Sequence, residues 1–134
     1  MEEKAKIEGG CFCGKIRYAL KEREYRTANC HCSMCRRFSG APFVTWIVVP
    51  TKGFEYTSGN PESIRSSDGG MRYFCASCGT PIACVLDAYP KYVDVTVGSL
   101  DEPDRFVPTM AIHEDTKLAW LAQTEELQET DPKA

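Results

Sequence analysis

Seven of the eight cysteines in this chain fall into three tight clusters: Cys11-Phe12-Cys13, Cys30-His31-Cys32-Ser33-Met34-Cys35 and Cys75-Ala76-Ser77-Cys78. A disulfide within Cys-x-Cys or Cys-x-x-Cys would close almost no chain and so constrain very little. Such spacings read as metal ligands first. A closed structural zinc site takes four ligands, and a catalytic one takes three and keeps a position open. Seven cysteines divide into four and three on that scheme. The compartment expectation agrees. The opening MEEKAKIEGG carries no apolar h-region, and no stretch approaches the roughly 18 apolar residues of a membrane span. A cytoplasmic location is expected, where thiols stay reduced.

At 134 residues the chain is sized for one domain with an ordinary core. A hydrophobic content of 43% with 26% charged residues is that of a globular protein. The net charge of −3 argues against a nucleic-acid backbone binder, and no membrane partner is expected. Arg36-Arg37 is a local basic spot within that acidic balance.

The regular-structure signal is β. Lys15–Leu20, Phe43–Val49, Phe54–Tyr56, Met71–Phe74, Pro81–Leu86 and Tyr92–Val97 read as strands, from alternation or β-branched and aromatic content. Weaker strand candidates are Val107–Ile112 and Leu118–Leu121. A short helix is expected over Ser33–Phe38. The polar segment from Gln123 to Ala134 reads as a solvated tail, so residues 1–121 are taken as the domain and 122–134 as the tail.

Two residues apart on an extended chain, Cys11 and Cys13 point to the same side and can reach one metal. Cys75-Ala76-Ser77-Cys78-Gly79 has the form of a zinc knuckle. These two half-sites together would make a four-thiolate tetrahedron that ties the N-terminal strand to the middle of the chain. Cys30 and Cys32 share a side by the same argument, and Cys35 returns through a turn. Three thiolates leave a fourth position for water or a substrate thiol or carbonyl. Spacing leaves alternatives. His31 could close the second site, although it points away from Cys30 and Cys32 on an extended chain. Cys30 and Cys32 could instead pair with Cys75 and Cys78, or one pair could be a redox dithiol. Cys84, in Ile82-Ala83-Cys84-Val85, reads as a buried core cysteine.

The stretches GGCFCGKIRY (9–18), NCHCSMCRRFSGAPF (29–43), YFCASCGTPI (73–82) and VTVGSLD (95–101) resemble the glutathione-dependent formaldehyde-activating enzyme family, which includes centromere protein V-like proteins. Pro108 and Trp120 look like the family's C-terminal Pro and Trp. The resemblance implies a mostly β fold of the β-tent type, related to zinc ribbons. It implies that Cys11, Cys13, Cys75 and Cys78 hold a structural zinc and that Cys30, Cys32 and Cys35 hold a catalytic one. The implied activity is carbon–sulfur bond formation between glutathione and formaldehyde. One departure stands out: the family often has a His three residues after that Pro, where this chain has Ala111, with His113 two residues further on.

The chain is thus expected to be a zinc-dependent carbon–sulfur lyase, with Cys32 as the catalytic member of its cluster. Its partners would be a glutathione-like thiol and an aldehyde. Arg36 and Arg37 would receive a substrate carboxylate through forked hydrogen bonds. Phe43 and Trp46 would form an apolar wall. The rivals are a non-enzymatic zinc-stabilised binding module and a glutathione carrier without turnover.

Overall fold

The segment Val44–Pro50 is apolar on both of its faces, as a strand covered on both sides must be. The rest of the molecule is arranged about it. The computed structural model describes residues 6–67 and 69–133. The elements in chain order are β1 (Lys6–Gly10), β2 (Arg17–Lys21), β3 (Arg26–Cys30), α1 (Ser33–Ser39), β4 (Val44–Pro50) and β5 (Phe54–Ser58). They continue with β6 (Glu62–Ser67), β7 (Gly70–Phe74), β8 (Pro81–Leu86), β9 (Tyr92–Thr96) and β10 (Met110–Ile112), with short 3-10 turns between.

A three-stranded sheet, β1-β2-β5, folds over a seven-stranded sheet ordered β10-β3-β4-β9-β8-β7-β6. Every pairing is antiparallel except β10 with β3. The domain is mostly β, with one short α-helix among the described residues, as the sequence led us to expect.

Register assigns the two faces of the large sheet. Ile47 pairs with Val95, Val95 with Ala83 and Ala83 with Tyr73, so these four look inward. They meet Ile7, Ile16, Tyr18 and Leu20 of the N-terminal region in the main core. Leu20, Ile47, Val49 and Val95 are essentially inaccessible to solvent, and each contributes about 2 kcal/mol of burial free energy. The opposite row is Val48, Asp94, Cys84 and Arg72, paired in that order across β4, β9, β8 and β7. That outer face carries a second, smaller core of Cys30, Cys35, Val44, Trp46 and Cys84, with Cys35 supplied by α1.

The strands expected from the sequence form, with ends shifted by a residue or two, except that Val107–Ile112 shortens to Met110–Ile112. The one that does not form is Leu118–Leu121, which is a turn leading into a 3-10 segment at Leu121–Gln123, with Trp120 exposed. A short apolar run does not by itself distinguish a strand from a helical turn. The strands β1, β3 and β6 were not foreseen. Their sequences, KIEGG, RTANC and ESIRSS, are rich in Gly and polar residues.

Candidate functional site

Cys11, Cys13, Cys75 and Cys78 converge at one end of the main core, with every sulfur within 4.8 Å of the others. The Cys11–Cys13 and Cys13–Cys75 separations are 3.6 and 3.8 Å. Four thiolates at Zn–S distances of 2.3 Å stand about 3.8 Å apart at the corners of a tetrahedron, so these two separations are compatible with zinc.

Two similar turns build it. In the first, Cys11 and Ile16 bond through the backbone at 3.0 Å, and the Ile16 N–H also donates to the Cys11 sulfur at 3.2 Å. In the second, the Gly79 N–H donates to the Cys75 carbonyl at 2.7 Å, and Cys78 Sγ lies 3.2 Å from Thr80 Oγ1. Gly14 and Gly79 close these turns with φ of 83° and 82°, a backbone region that disfavours any side chain. The two turns are stitched together where the Phe12 N–H donates to Thr80 Oγ1 at 3.0 Å. Hydrogen bonds from Thr80, side chain and then backbone, pull the Cys78 thiol down to about 5. Cys11 is also lowered: burial, with Cys78, opposes this, but the Ile16 backbone bond with Cys13 and Cys75 outweighs it.

Cys30, Cys32 and Cys35 form a second group of sulfurs on the outer face of the large sheet, again within 4.8 Å of one another. Cys30 ends β3. Cys32 sits at the N-cap of α1, its sulfur accepting from the Cys35 N–H at 3.2 Å. Cys35 comes back one turn later, 3.2 Å from the Cys30 sulfur. The sequence grouping of four and three is therefore the spatial grouping, and the alternative that pairs Cys30 and Cys32 with Cys75 and Cys78 is excluded by distance. His31 is buried, with Nδ1 unpartnered and its ring 5.1 Å from that of Phe43. It belongs to neither group of close ligand atoms among the described residues.

One close neighbour of this second group, Arg72, was not read from the sequence. Arg72 of β7, only 5% exposed, directs both terminal guanidinium nitrogens at the Cys35 sulfur, each at 3.7 Å. Its Nε has no hydrogen-bond partner, and its guanidinium carbon stands 5.2 Å from the centre of the Phe38 ring. The Cys30 thiol, followed by Cys32 and the Arg72 cation, holds Cys35 down to about 5 despite its burial. Cys30 is pushed up in turn, by Cys35 first and then by burial. A thiolate at Cys35 is what a buried guanidinium requires of its neighbour, since an unpaired buried charge is costly. Beyond Cys84, Asp94 is a half-buried carboxyl that desolvation, with Cys35 next in effect, pushes up to about 6.

Cys84 is buried and belongs to neither thiol group, in keeping with a core cysteine. Trp46 is buried beside the three-thiol group, and Phe43 is half-buried against His31. Arg36 and Arg37 occupy the last turn of α1, half-buried and exposed respectively. The C-terminal segment reaches the cluster through β10: the His31 N–H donates to the Ile112 carbonyl at 3.0 Å, and Thr116 Oγ1 to the His31 carbonyl at 2.8 Å. β10 ends at Ile112, and His113 takes a left-handed conformation with φ of 56°. Strand alternation therefore does not carry His113 to the side that Ala111 faces.

The model of the glutathione-dependent formaldehyde-activating enzyme family matches residues 6–116. The chain belongs to that family. A Schizosaccharomyces pombe protein described as an uncharacterized lyase is 29% identical over 75 residues, which are 56% of this chain and 54% of the relative. The match thus spans about half of that relative's length. The crystal structure of a Rhodobacter sphaeroides protein superposes with a TM-score of 0.62 at 19% identity, covering 78% of this chain and 98% of that one. That likeness is one of fold.

Proposed function

We propose that this protein is a cytoplasmic, zinc-dependent carbon–sulfur lyase that forms or cleaves an S-hydroxymethyl adduct between a glutathione-like thiol and a formaldehyde-like aldehyde. The observation that carries the proposal is the three-thiol group with a buried arginine set against it. Three thiolates on a divalent cation leave one net negative charge, which Arg72 offsets. The lyase description of the Schizosaccharomyces pombe relative agrees with the proposal. Cys11, Cys13, Cys75 and Cys78 are assigned to the zinc that holds the fold.

Zinc held by Cys30, Cys32 and Cys35 would offer an open position and lower the pKa of a thiol brought to it. The remaining work falls to the chain. Arg72 keeps Cys35 anionic and fixes its position. Arg36 and Arg37, on the helix that carries Cys35, are the proposed contacts for a substrate carboxylate. In the forward direction the sulfur–carbon bond forms, the carbonyl π bond opens, and one proton passes from sulfur to oxygen. Asp94 shares the outer face with Cys30, and a carboxyl near 6 can both take and return that proton at neutral pH.

Thiols and formaldehyde combine spontaneously, so the test is a rate. Exchange between free and hydroxymethylated glutathione, followed by NMR magnetisation transfer, should accelerate in proportion to the protein added. Cys32→Ser should abolish the acceleration. An exchange rate equal to that of buffer, with glutathione bound, would instead identify a carrier.

A further inference from the structure

Two open cavities of the molecule differ in charge. The larger, about 650 Å³, lies on the outer face of the large sheet. Ile112, the register partner of Cys30, and Asp94, that of Cys84, set it beside the three-thiol group. Its arginines, Arg23 and Arg26, are matched by Glu24 and Asp94. The smaller, about 520 Å³, lies where β2 meets β5 in the three-stranded sheet, and no cysteine lines it. Lys6, Lys21, Arg23 and Lys52 stand there against Glu22 and Glu55. Four cations against two carboxylates leave a net charge of +2, in a chain whose own net charge is −3.

Both of those carboxylates are engaged. Glu55 lies 3.6 Å from Lys6, and Glu22 lies 2.7 Å from Arg105. Arg23 is shared with the larger cavity and stands 5.4 Å from the centre of the Tyr25 ring. Lys21 and Lys52 remain, both exposed, with no ion pair or side-chain hydrogen bond among the described residues.

Strand register holds these cations together. Lys6 and Lys21 are direct partners across β1 and β2, a like-charge pairing that costs stability. On the other side Leu20 pairs with Phe54, which puts Lys21 level with Gly53, the residue after Lys52. A Cβ at Gly53 would stand 3.7 Å from Lys21 Cδ, so the Lys21 stem lies across that glycine. With strands about 4.8 Å apart, the three lysines occupy about 10 Å of the sheet. Ala19 and Gly53, the smallest residues of the lining, add little bulk between them. An anion seated here would relieve the Lys6–Lys21 repulsion and meet two ammoniums that have no other partner.

We infer that this cavity binds a phosphate group carrying two negative charges, held between Lys21 and Lys52 with Lys6 and Arg23 at its margin. A phosphomonoester is such a group, whether it belongs to a small soluble molecule or to a lipid headgroup. The site contains none of the thiols, so it stands or falls independently of the lyase proposal.

Glycerol 3-phosphate presents the group in free form, and phosphatidic acid presents it on a lipid. Titrated at low ionic strength into the zinc-loaded, 15N-labelled protein, glycerol 3-phosphate should shift the amides of Lys21, Lys52 and Gly53 first, with half-saturation at about 1 mM. Affinity should fall several-fold in 0.15 M salt. Lys21→Gln and Lys52→Gln should each weaken binding about fivefold and keep the parent melting temperature to within a few degrees. In anion-free buffer Lys21→Gln should melt no lower than the parent, because it removes the like-charge pair. Vesicles of phosphatidylcholine doped with phosphatidic acid separate the two sources. Binding of glycerol 3-phosphate that both variants weaken supports a soluble ligand. Co-sedimentation with the doped vesicles alone, weakened by both variants, supports a lipid one. Shifts that acetate reproduces, or that survive both substitutions, overturn the inference, as does the absence of binding to either probe.

Discussion

The two thiol groups use the same ligand atom and differ in almost everything around it. The four-thiol group is enclosed by backbone: its sulfurs meet the Ile16 N–H and the Thr80 hydroxyl, within two turns pinned by Gly14 and Gly79. Among the described residues, no arginine or carboxylate supplies its hydrogen bonds. The three-thiol group is surrounded by ionisable side chains, with Arg72 against Cys35 and Asp94 beyond Cys84, and it borders an open cavity. On the proposed reading, a metal on the four-thiol group would have no free position and would hold two distant chain segments together. A metal on the three-thiol group would keep a free position, beside a cation and a carboxyl that could manage charge. The surroundings differ more than the cysteine counts do.

Substitutions at the two groups test this contrast. The largest effect belongs to Cys78→Ser. Structural zinc sites contribute on the order of 10 kcal/mol of apparent binding free energy, more than a domain of this size has in net stability. The variant should lose its cooperative melting transition, as followed by circular dichroism. A melt like that of the parent would erase the distinction between the two groups. Cys35→Ser should instead retain a cooperative melt while losing accelerated thiol–aldehyde exchange.

Arg72→Gln comes next. Substituting a residue that supports a metal ligand typically costs 10- to 100-fold in activity or metal affinity, and a competition titration with a chromophoric chelator would read the latter. The four-thiol group should keep its metal in this variant, so that only one of the two zincs weakens.

Asp94 gives a smaller effect with a definite sign. Its folded pKa of about 6 lies above the reference value of 3.8. The native state is therefore favoured by this group below about pH 4, and that advantage is lost as pH rises through 6. At about 1.4 kcal/mol per unit, the loss approaches 3 kcal/mol. Asp94→Asn should accordingly melt higher than the parent at pH 7.5, with the gap closing toward pH 4. A carboxyl-carbon NMR titration of the parent should place the Asp94 midpoint near 6. A midpoint near 4 would remove Asp94 from the proton-transfer role. Smallest of all, Arg36→Gln with Arg37→Gln should raise KM for a carboxylate-bearing thiol a few-fold and leave kcat in place.

The grouping of the cysteines was legible because ligand spacing is local: Cys-x-Cys on a strand and Cys-x-x-Cys in a turn present their sulfurs together whatever the rest of the chain does. The central strands were legible for a related reason, since Val44–Pro50 and Pro81–Leu86 carry their burial in their own composition. Edge strands such as Glu62–Ser67 bury little, so nothing in their sequence announces them. Arg72 was hidden more completely. It lies in Met71-Arg72-Tyr73-Phe74, where alternation marks it only as facing opposite to its neighbours. That it faces Cys35 depends on β7 and α1 meeting over one sheet, a long-range outcome of strand order. Asp94 was hidden in the same way. Ala111 lies on β10 and His113 does not, because the strand stops one residue before His113.

Zinc content of Cys32→Ser by native mass spectrometry is the most direct check that one thiol group holds the fold and the other serves chemistry. The parent should carry two zinc ions per chain. The variant should carry one, with the narrow, low charge-state distribution of a folded protein. A variant that keeps both metals, or that loses one and unfolds, would contradict the division between the two groups.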